Sequence, residues 1–193
     1  MPEEYYVSPN LNILLNRIVT CIHDEDFVVM KGISVTAGMS SQFSSSLSHP
    51  ESAIALKPNV YLIASEAKSL YASIPVAYPQ AVSLACDFAV NIFETHQLLD
   101  YLDVVIPFVV MAGEEIQFGA VYLIENCYPC ATQLTRNLLL TDPEQLLEIC
   151  RWINALANHC NRVKGMLTKL LPQEFNLSKR AKTVIEVSLN VSY

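Results

Sequence analysis

Pro50-Glu51-Ser52-Ala53-Ile54-Ala55-Leu56-Lys57-Pro58-Asn59-Val60-Tyr61-Leu62-Ile63-Ala64-Ser65-Glu66-Ala67-Lys68 is the stretch that decides the fold. It holds two apolar runs, residues 53–56 and 59–65, joined by Lys57-Pro58-Asn59, whose composition marks a turn. The whole predicts a β-hairpin over 51–68, entered through a proline–acid pair and left through Glu-x-Lys. A hairpin returns its second strand to the start of its first, so Glu51, Glu66 and Lys68 gather at one end. Two carboxylates beside an ammonium suit a divalent cation and a water aimed at phosphate.

Upstream, Ser8-Pro9 predicts a helix start, with serine as cap and proline at the first helical position. Leu11, Leu14, Leu15, Ile18, Val19 and Ile22 recur at helical spacing, and residues 23–26 end the run. Residues 27–30 and 33–35 are short strand candidates. The serine-rich segment 37–49 reads as a loop: a surface connection, or a gate over Glu51.

Downstream, Ile74-Pro75 and Tyr78-Pro79 mark an exit loop, and Gln80 opens an amphipathic helix to about Thr95. Residues 103–111 and 116–124 form a second strand pair around Gly113-Glu114-Glu115. Thr141-Asp142-Pro143-Glu144 starts a long helix that reaches Leu171, before Pro172. Residues 184–191 alternate at period two and predict a last strand, or the start of a second domain in a longer polypeptide. This order predicts an α/β domain, a mixed β-sheet flanked by helices. A single domain would span 1–193, with a core at 8–125, a helical extension at 141–171 and a tail at 172–193.

Hydrophobic residues make up 52% of the 193 and charged residues 16%, which excludes general disorder. No apolar run reaches the ~18 residues of a membrane span, and the acidic Met1-Pro2-Glu3-Glu4 is not a secretory signal. Most of the six cysteines sit within apolar patterns and form no disulfide framework, so they are read as reduced and the chain as intracellular, in nucleus or cytoplasm. Cys127-Tyr128-Pro129-Cys130 lacks a second ligand pair and reads as buried thiols at a turn rather than a zinc site. The net charge is −7, with four basic and fourteen acidic side chains over residues 1–130 and eight against five over 131–193. The basic last third is a solvated helix face or a weak phosphate-facing surface.

The ordered set Glu51, Glu66, Lys68 and Gln80 resembles the PD-(D/E)xK nuclease superfamily over roughly residues 8–125. That core runs helix, strand, acid-bearing hairpin, second helix, further strand, in a restriction-endonuclease-like arrangement. Pro50-Glu51 stands for the proline–acid pair, Glu66-Ala67-Lys68 for (D/E)xK, and Gln80 for the glutamine opening the second helix. A narrower similarity, in element order, is to nuclease-like modules of eukaryotic Crinkler-type effector proteins. The resemblance implies a nuclease hydrolysing phosphodiester bonds of nucleic acid, DNA rather than RNA. It implies Mg²⁺ or Mn²⁺ on Glu51, Glu66 and the Ala67 carbonyl, with Lys68 and Gln80 ordering water and phosphate.

The chain departs from that pattern at three points. The first acid is Glu51 where aspartate is commoner. No carboxylate lies between Pro9 and Ile22, and Leu84 stands where a tyrosine follows the glutamine. The alternative is a catalytically inactive nuclease-fold module that works through protein contacts, with the 143–171 helix as a docking element. A further alternative for Glu66 and Lys68 is a solvent-exposed ion pair on one strand face.

Overall fold

The computed structural model describes residues 4–31, 52–57, 60–68, 71–95, 104–124 and 128–189, and the side chains of these except at 4–9, 31, 94–95 and 170–189. Glu51, the 33–35 strand candidate, the serine-rich segment and Cys127 lie outside the described residues. The elements in chain order are α1 (Glu4–Ile22), β1 (Phe27–Lys31), β2 (Ser52–Leu56), β3 (Val60–Lys68) and α2 (Ile74–Thr95). They are followed by β4 (Val105–Ala112), β5 (Glu115–Ile124), β6 (Tyr128–Gln133), β7 (Leu138–Leu139) and α3 (Pro143–Leu189). Two compact units divide the chain, Met1–Asn158 and His159–Tyr193.

The first unit is an α/β layer structure around one mixed sheet of seven strands, in the order β1-β2-β3-β4-β5-β6 with β7 against the start of β5. Neighbours pair antiparallel except β3 and β4, which are parallel. A parallel pair needs a crossover, and α2 is that crossover. The expected hairpin is present as β2–β3, with Ser52 opposite Ser65 and Ile54 opposite Ile63. A β-bulge follows, since Ala55 pairs with Tyr61. The strand also continues past Ser65, so Glu66-Ala67-Lys68 belongs to the sheet rather than to its exit.

The two faces are told apart by contacts. Tyr78 of α2 meets the Phe108 ring edge-on at 5.3 Å, and Phe88 stacks on Tyr61 at 4.8 Å. Phe108 is paired with Ala64, so Ala64, Glu66 and Lys68 share the face that α2 covers. On the opposite face the Ser52 hydroxyl donates to Asn12 Oδ1 of α1 at 2.8 Å, and the Ser65 hydroxyl donates to the Ser52 carbonyl. Phe118 of β5 stacks on Trp152 of α3 there, 5.7 Å between ring centres. The core lies in both interlayer spaces, with Leu11, Leu15 and Ile18 on one side and Ala77, Ala81 and Phe88 on the other, all essentially inaccessible.

Three helix boundaries differ from expectation. α1 begins four residues before Ser8 and contains Pro9. α2 begins at Ile74 rather than Gln80, with Pro75 in its first turn and Pro79 inside it. Its buried seam, Ile74, Ala77, Ala81, Leu84, Ala85, Phe88 and Ile92, runs straight through the prolines. Pro75 forfeits no bond where N–H groups have no helical acceptor, whereas Pro79 gives up one bond and crowds the Pro75 carbonyl, a cost that packing of the seam on the sheet offsets. By length and composition Ile74–Phe93, with a mean hydropathy of 1.2, also meets the requirement of a membrane span, which the sequence reading missed. In the structure this segment is the crossover helix packed on the sheet.

α3 is capped by Asp142, whose Oδ1 accepts the Glu144 N–H at 2.9 Å. The second unit, His159–Tyr193, continues it as helix through Leu189, which corrects the expected stop at Leu171 and the expected last strand. Ile185 and Leu189 stand four apart, a spacing that a helix and an alternating strand both allow, so period two did not discriminate over so short a run. Strands β6 and β7 were not anticipated, and Cys130 lies on β6 instead of in a turn.

Candidate functional site

Glu66 and Lys68 stand two residues apart near the carboxyl end of β3, on the face under α2. Lys68 Nζ lies 2.7 Å from Glu66 Oε1, with side-chain exposures of 5% for Glu66 and 30% for Lys68. This is a half-buried pair rather than the exposed surface pair the sequence also allowed. Burial raises the Glu66 carboxyl above its ordinary range, and the hydrogen bond and charge of Lys68 oppose that rise. The lysine favours the charged carboxylate and burial disfavours it, and burial is the larger of the two effects.

Gln80 is in the second turn of α2 and not at its start. It lies two residues from Tyr78, about 160° around the helix, so the two leave the sheet-facing seam on opposite flanks. The Gln80 Oε1 is buried and has no hydrogen-bond partner. An orphaned amide oxygen costs roughly 1–3 kcal/mol, and such an atom is a ready acceptor for a bound water or a ligand hydroxyl.

A second polar strip, not anticipated from the sequence, lies on the same face. Register sets Glu66, Val110 and Gln117 in one row and Lys68, Ala112 and Glu115 in the next. Gln117 is buried and its Nε2 donates to Asn137 Oδ1 at 2.8 Å, while Asn137 Nδ2 donates to Glu115 Oε2 at 3.1 Å. The signal that could have found it is Gln117, the one polar residue inside the apolar run of residues 116–121. Two strand spacings, about 10 Å, separate it from Glu66.

The donor chemistry fits a divalent cation in part. Mg²⁺ is commonly held by one or two carboxylates, with water and substrate phosphate completing its shell. Glu66 is one such carboxylate, and the Ala67 carbonyl adjoins it in sequence. Among the described residues no three His, Cys, Asp or Glu side chains come together as a ligand group. Glu51, the second expected ligand, lies outside the described residues.

The described cysteines, Cys21, Cys86, Cys130, Cys150 and Cys160, are all free. Cys86 is pushed up to about 11, chiefly by burial, so it is a thiol and not a nucleophile at neutral pH. No family model matches the chain, and neither the curated proteins nor the solved structures contain a match to it.

Proposed function

We propose that this chain is a metal-dependent nuclease-like domain that hydrolyses phosphodiester bonds of nucleic acid, DNA rather than RNA, on a restriction-endonuclease-like core. The observation that carries the reading is the Glu66–Lys68 contact of 2.7 Å, with the carboxylate buried on the sheet face under the crossover helix. The succession α1, β1, β2–β3, α2, β4–β5 is the order the resemblance implies. The carboxyl end of strands beside a crossover is also where open α/β sheets bind ligands.

Glu66, the Ala67 carbonyl and Glu51 would hold Mg²⁺ or Mn²⁺. When bound, the ion supplies an acidified water and positive charge against the scissile phosphate. Lys68 carries three N–H donors on a flexible stem. It would hold the attacking water or a phosphate oxygen, and it offsets the negative charge that develops there. Gln80 Oε1 would accept a hydrogen from that water or from Lys68. Burial of Glu66 excludes bulk water and keeps these charges effective.

The test is cleavage of single- and double-stranded DNA and RNA with Mg²⁺ or Mn²⁺. Wild type is expected to cut, and Glu66→Ala and Lys68→Ala to lose about 10²–10⁴-fold in rate. Cleavage at an equal rate by Lys68→Ala would remove the lysine from the reaction. A second reading, an inactive nuclease-fold module acting through protein contacts, is favoured by one feature. Tyr122, Ile124 and Tyr128 are 39%, 40% and 64% exposed and adjacent on one sheet face, with Ile124 paired to Tyr128. No cleavage by the wild type on any of these substrates would leave that reading standing.

A further inference from the structure

We infer that Tyr71 is a base-stacking residue at the rim of this site, and that the nucleic acid the site takes is single-stranded or locally unpaired. This rests on the nucleic-acid part of the function proposed above and names its substrate class. Tyr71 stands between the end of β3 at Lys68 and the start of α2 at Ile74, where the crossover leaves the carboxyl end of the sheet. It is 82% exposed, more than any other large apolar side chain among the described residues. Its neighbours of the same type in sequence behave differently. Tyr61 stacks on Phe88 and Tyr78 meets Phe108 edge-on, whereas the ring pairs among the described residues leave Tyr71 out.

The surroundings of Tyr71 suit a base and its phosphate together. Val76 is 59% exposed, and Pro75 and Pro79 are exposed beside it on the first turns of α2, so the rim is apolar. From Ala67 to Cys86 the chain carries one charge, that of Lys68. The rim therefore lacks the negative charge that the chain as a whole, at −7, would turn towards a polyanion. Lys68 precedes Tyr71 by three residues, so the two Cα atoms are at most about 11 Å apart. Glu66 Oε1 takes one of the three N–H donors of Lys68, and the side chain is 30% exposed. A nucleotide joins a flat base to a phosphate through one sugar, and single strands are held where aromatic faces lie beside cationic groups. Tyrosine offers such a face with only two torsions to fix. A base that lies on Tyr71 has left its own stack and pair, which costs least in a strand that is already unpaired.

The experiment measures binding of the full chain to short fluorescein-labelled oligonucleotides by anisotropy, in EDTA and at several salt concentrations. The probes are oligothymidine and a duplex of mixed sequence. Wild type is expected to bind the single strand more tightly than the duplex. Tyr71→Ala should weaken single-strand binding about 5- to 150-fold without changing the salt slope, because no phosphate contact is lost. Tyr71→Phe should retain the affinity, since the ring and not the hydroxyl makes the contact. Lys68→Ala should lower the slope by up to about 0.7. Tyr122→Ala, a 39% exposed tyrosine on the opposite sheet face, should bind as wild type. Unchanged binding by Tyr71→Ala, equal loss in Tyr71→Phe, or preference for the duplex would overturn the stacking role and leave the nuclease reading to its own cleavage test. The expected binding pattern without cleavage in Mg²⁺ or Mn²⁺ would keep the stacking role and overturn the nuclease. Absence of wild-type binding to either probe would overturn both.

Discussion

Glu66 is a carboxylate that the fold holds at a cost. Its folded pKa is raised by burial above the unfolded value, so the native state keeps its proton to higher pH than the unfolded chain. Stability from this group is full below the ordinary carboxylate range and declines as pH rises through the folded value. Glu66→Gln is therefore expected to flatten the fall in stability as pH rises above the ordinary carboxylate range, measured by urea unfolding at several pH values. Gly119 gives a second test at this scale. A Cβ there would stand 2.1 Å from Phe108 Cζ, and that ring is wholly buried and engaged by Tyr78. Gly119→Ala is expected to destabilise by about 1–3 kcal/mol, read as a lower urea midpoint with an unchanged slope. Thr135 accepts the Phe118 N–H at 3.0 Å through Oγ1 in a buried position. Thr135→Val should cost about 1–3 kcal/mol by the same measurement.

Among the elements, α3 is the one whose start can be tested most simply. Asp142 caps it and is also hydrogen-bonded by the Gln145 side chain, and these bonds hold its carboxyl below the ordinary range. Its contribution is present above the unfolded value and is lost as pH falls through the folded one. Asp142→Ala should lower the melting temperature at neutral pH and converge with wild type in acid, followed by circular dichroism. The helix start was legible from Thr141-Asp142-Pro143-Glu144, because capping is a local matter of a few residues, although the cap is Asp142 and not the Thr141–Glu144 capping box that the spacing suggested. The β2–β3 hairpin and the β4–β5 pair were legible for a similar reason. Val, Ile and Phe runs bounded by turn residues leave little choice, and Gly113, at φ 60°, supplies the positive angle a two-residue turn requires. The start of α2 was not legible, because Pro75 and Pro79 signal a break locally while the buried seam through Ile74 and Ala77 is settled only by packing on the sheet. β6 was hidden for the complementary reason. Tyr128, Pro129 and Ala131 are exposed, so no apolar alternation announces the strand and only pairing with β5 makes it one. Within the site, the Glu66–Lys68 partnership could be read from their spacing, whereas its burial depended on α2 arriving overhead. Gln117 and Asn137 meet across twenty residues of sequence, a separation that no local pattern encodes.

Across the whole molecule, charge is distributed unequally. The chain carries −7 overall, while the segment from His159 onward holds six basic and two acidic side chains. On the nucleic-acid reading this basic segment supplies the attraction that the acidic first unit cannot. Replacing Arg162, Lys164 and Lys169 together with glutamine is expected to weaken oligonucleotide binding and to reduce the slope of log K against log salt by up to about 0.9 per lost contact. Fluorescence anisotropy at several salt concentrations measures both, and an unchanged slope would place the contacts elsewhere. The sheet itself ends at β6, and one residue of that border strand is proline. Proline is tolerated on an edge where its absent donor faces outward. A foreign strand approaching this border meets a missing rung, so the exposed tyrosines beside it do not come with an intact template for fibre growth, and the molecule can display a sticky surface while remaining guarded against polymerising through it.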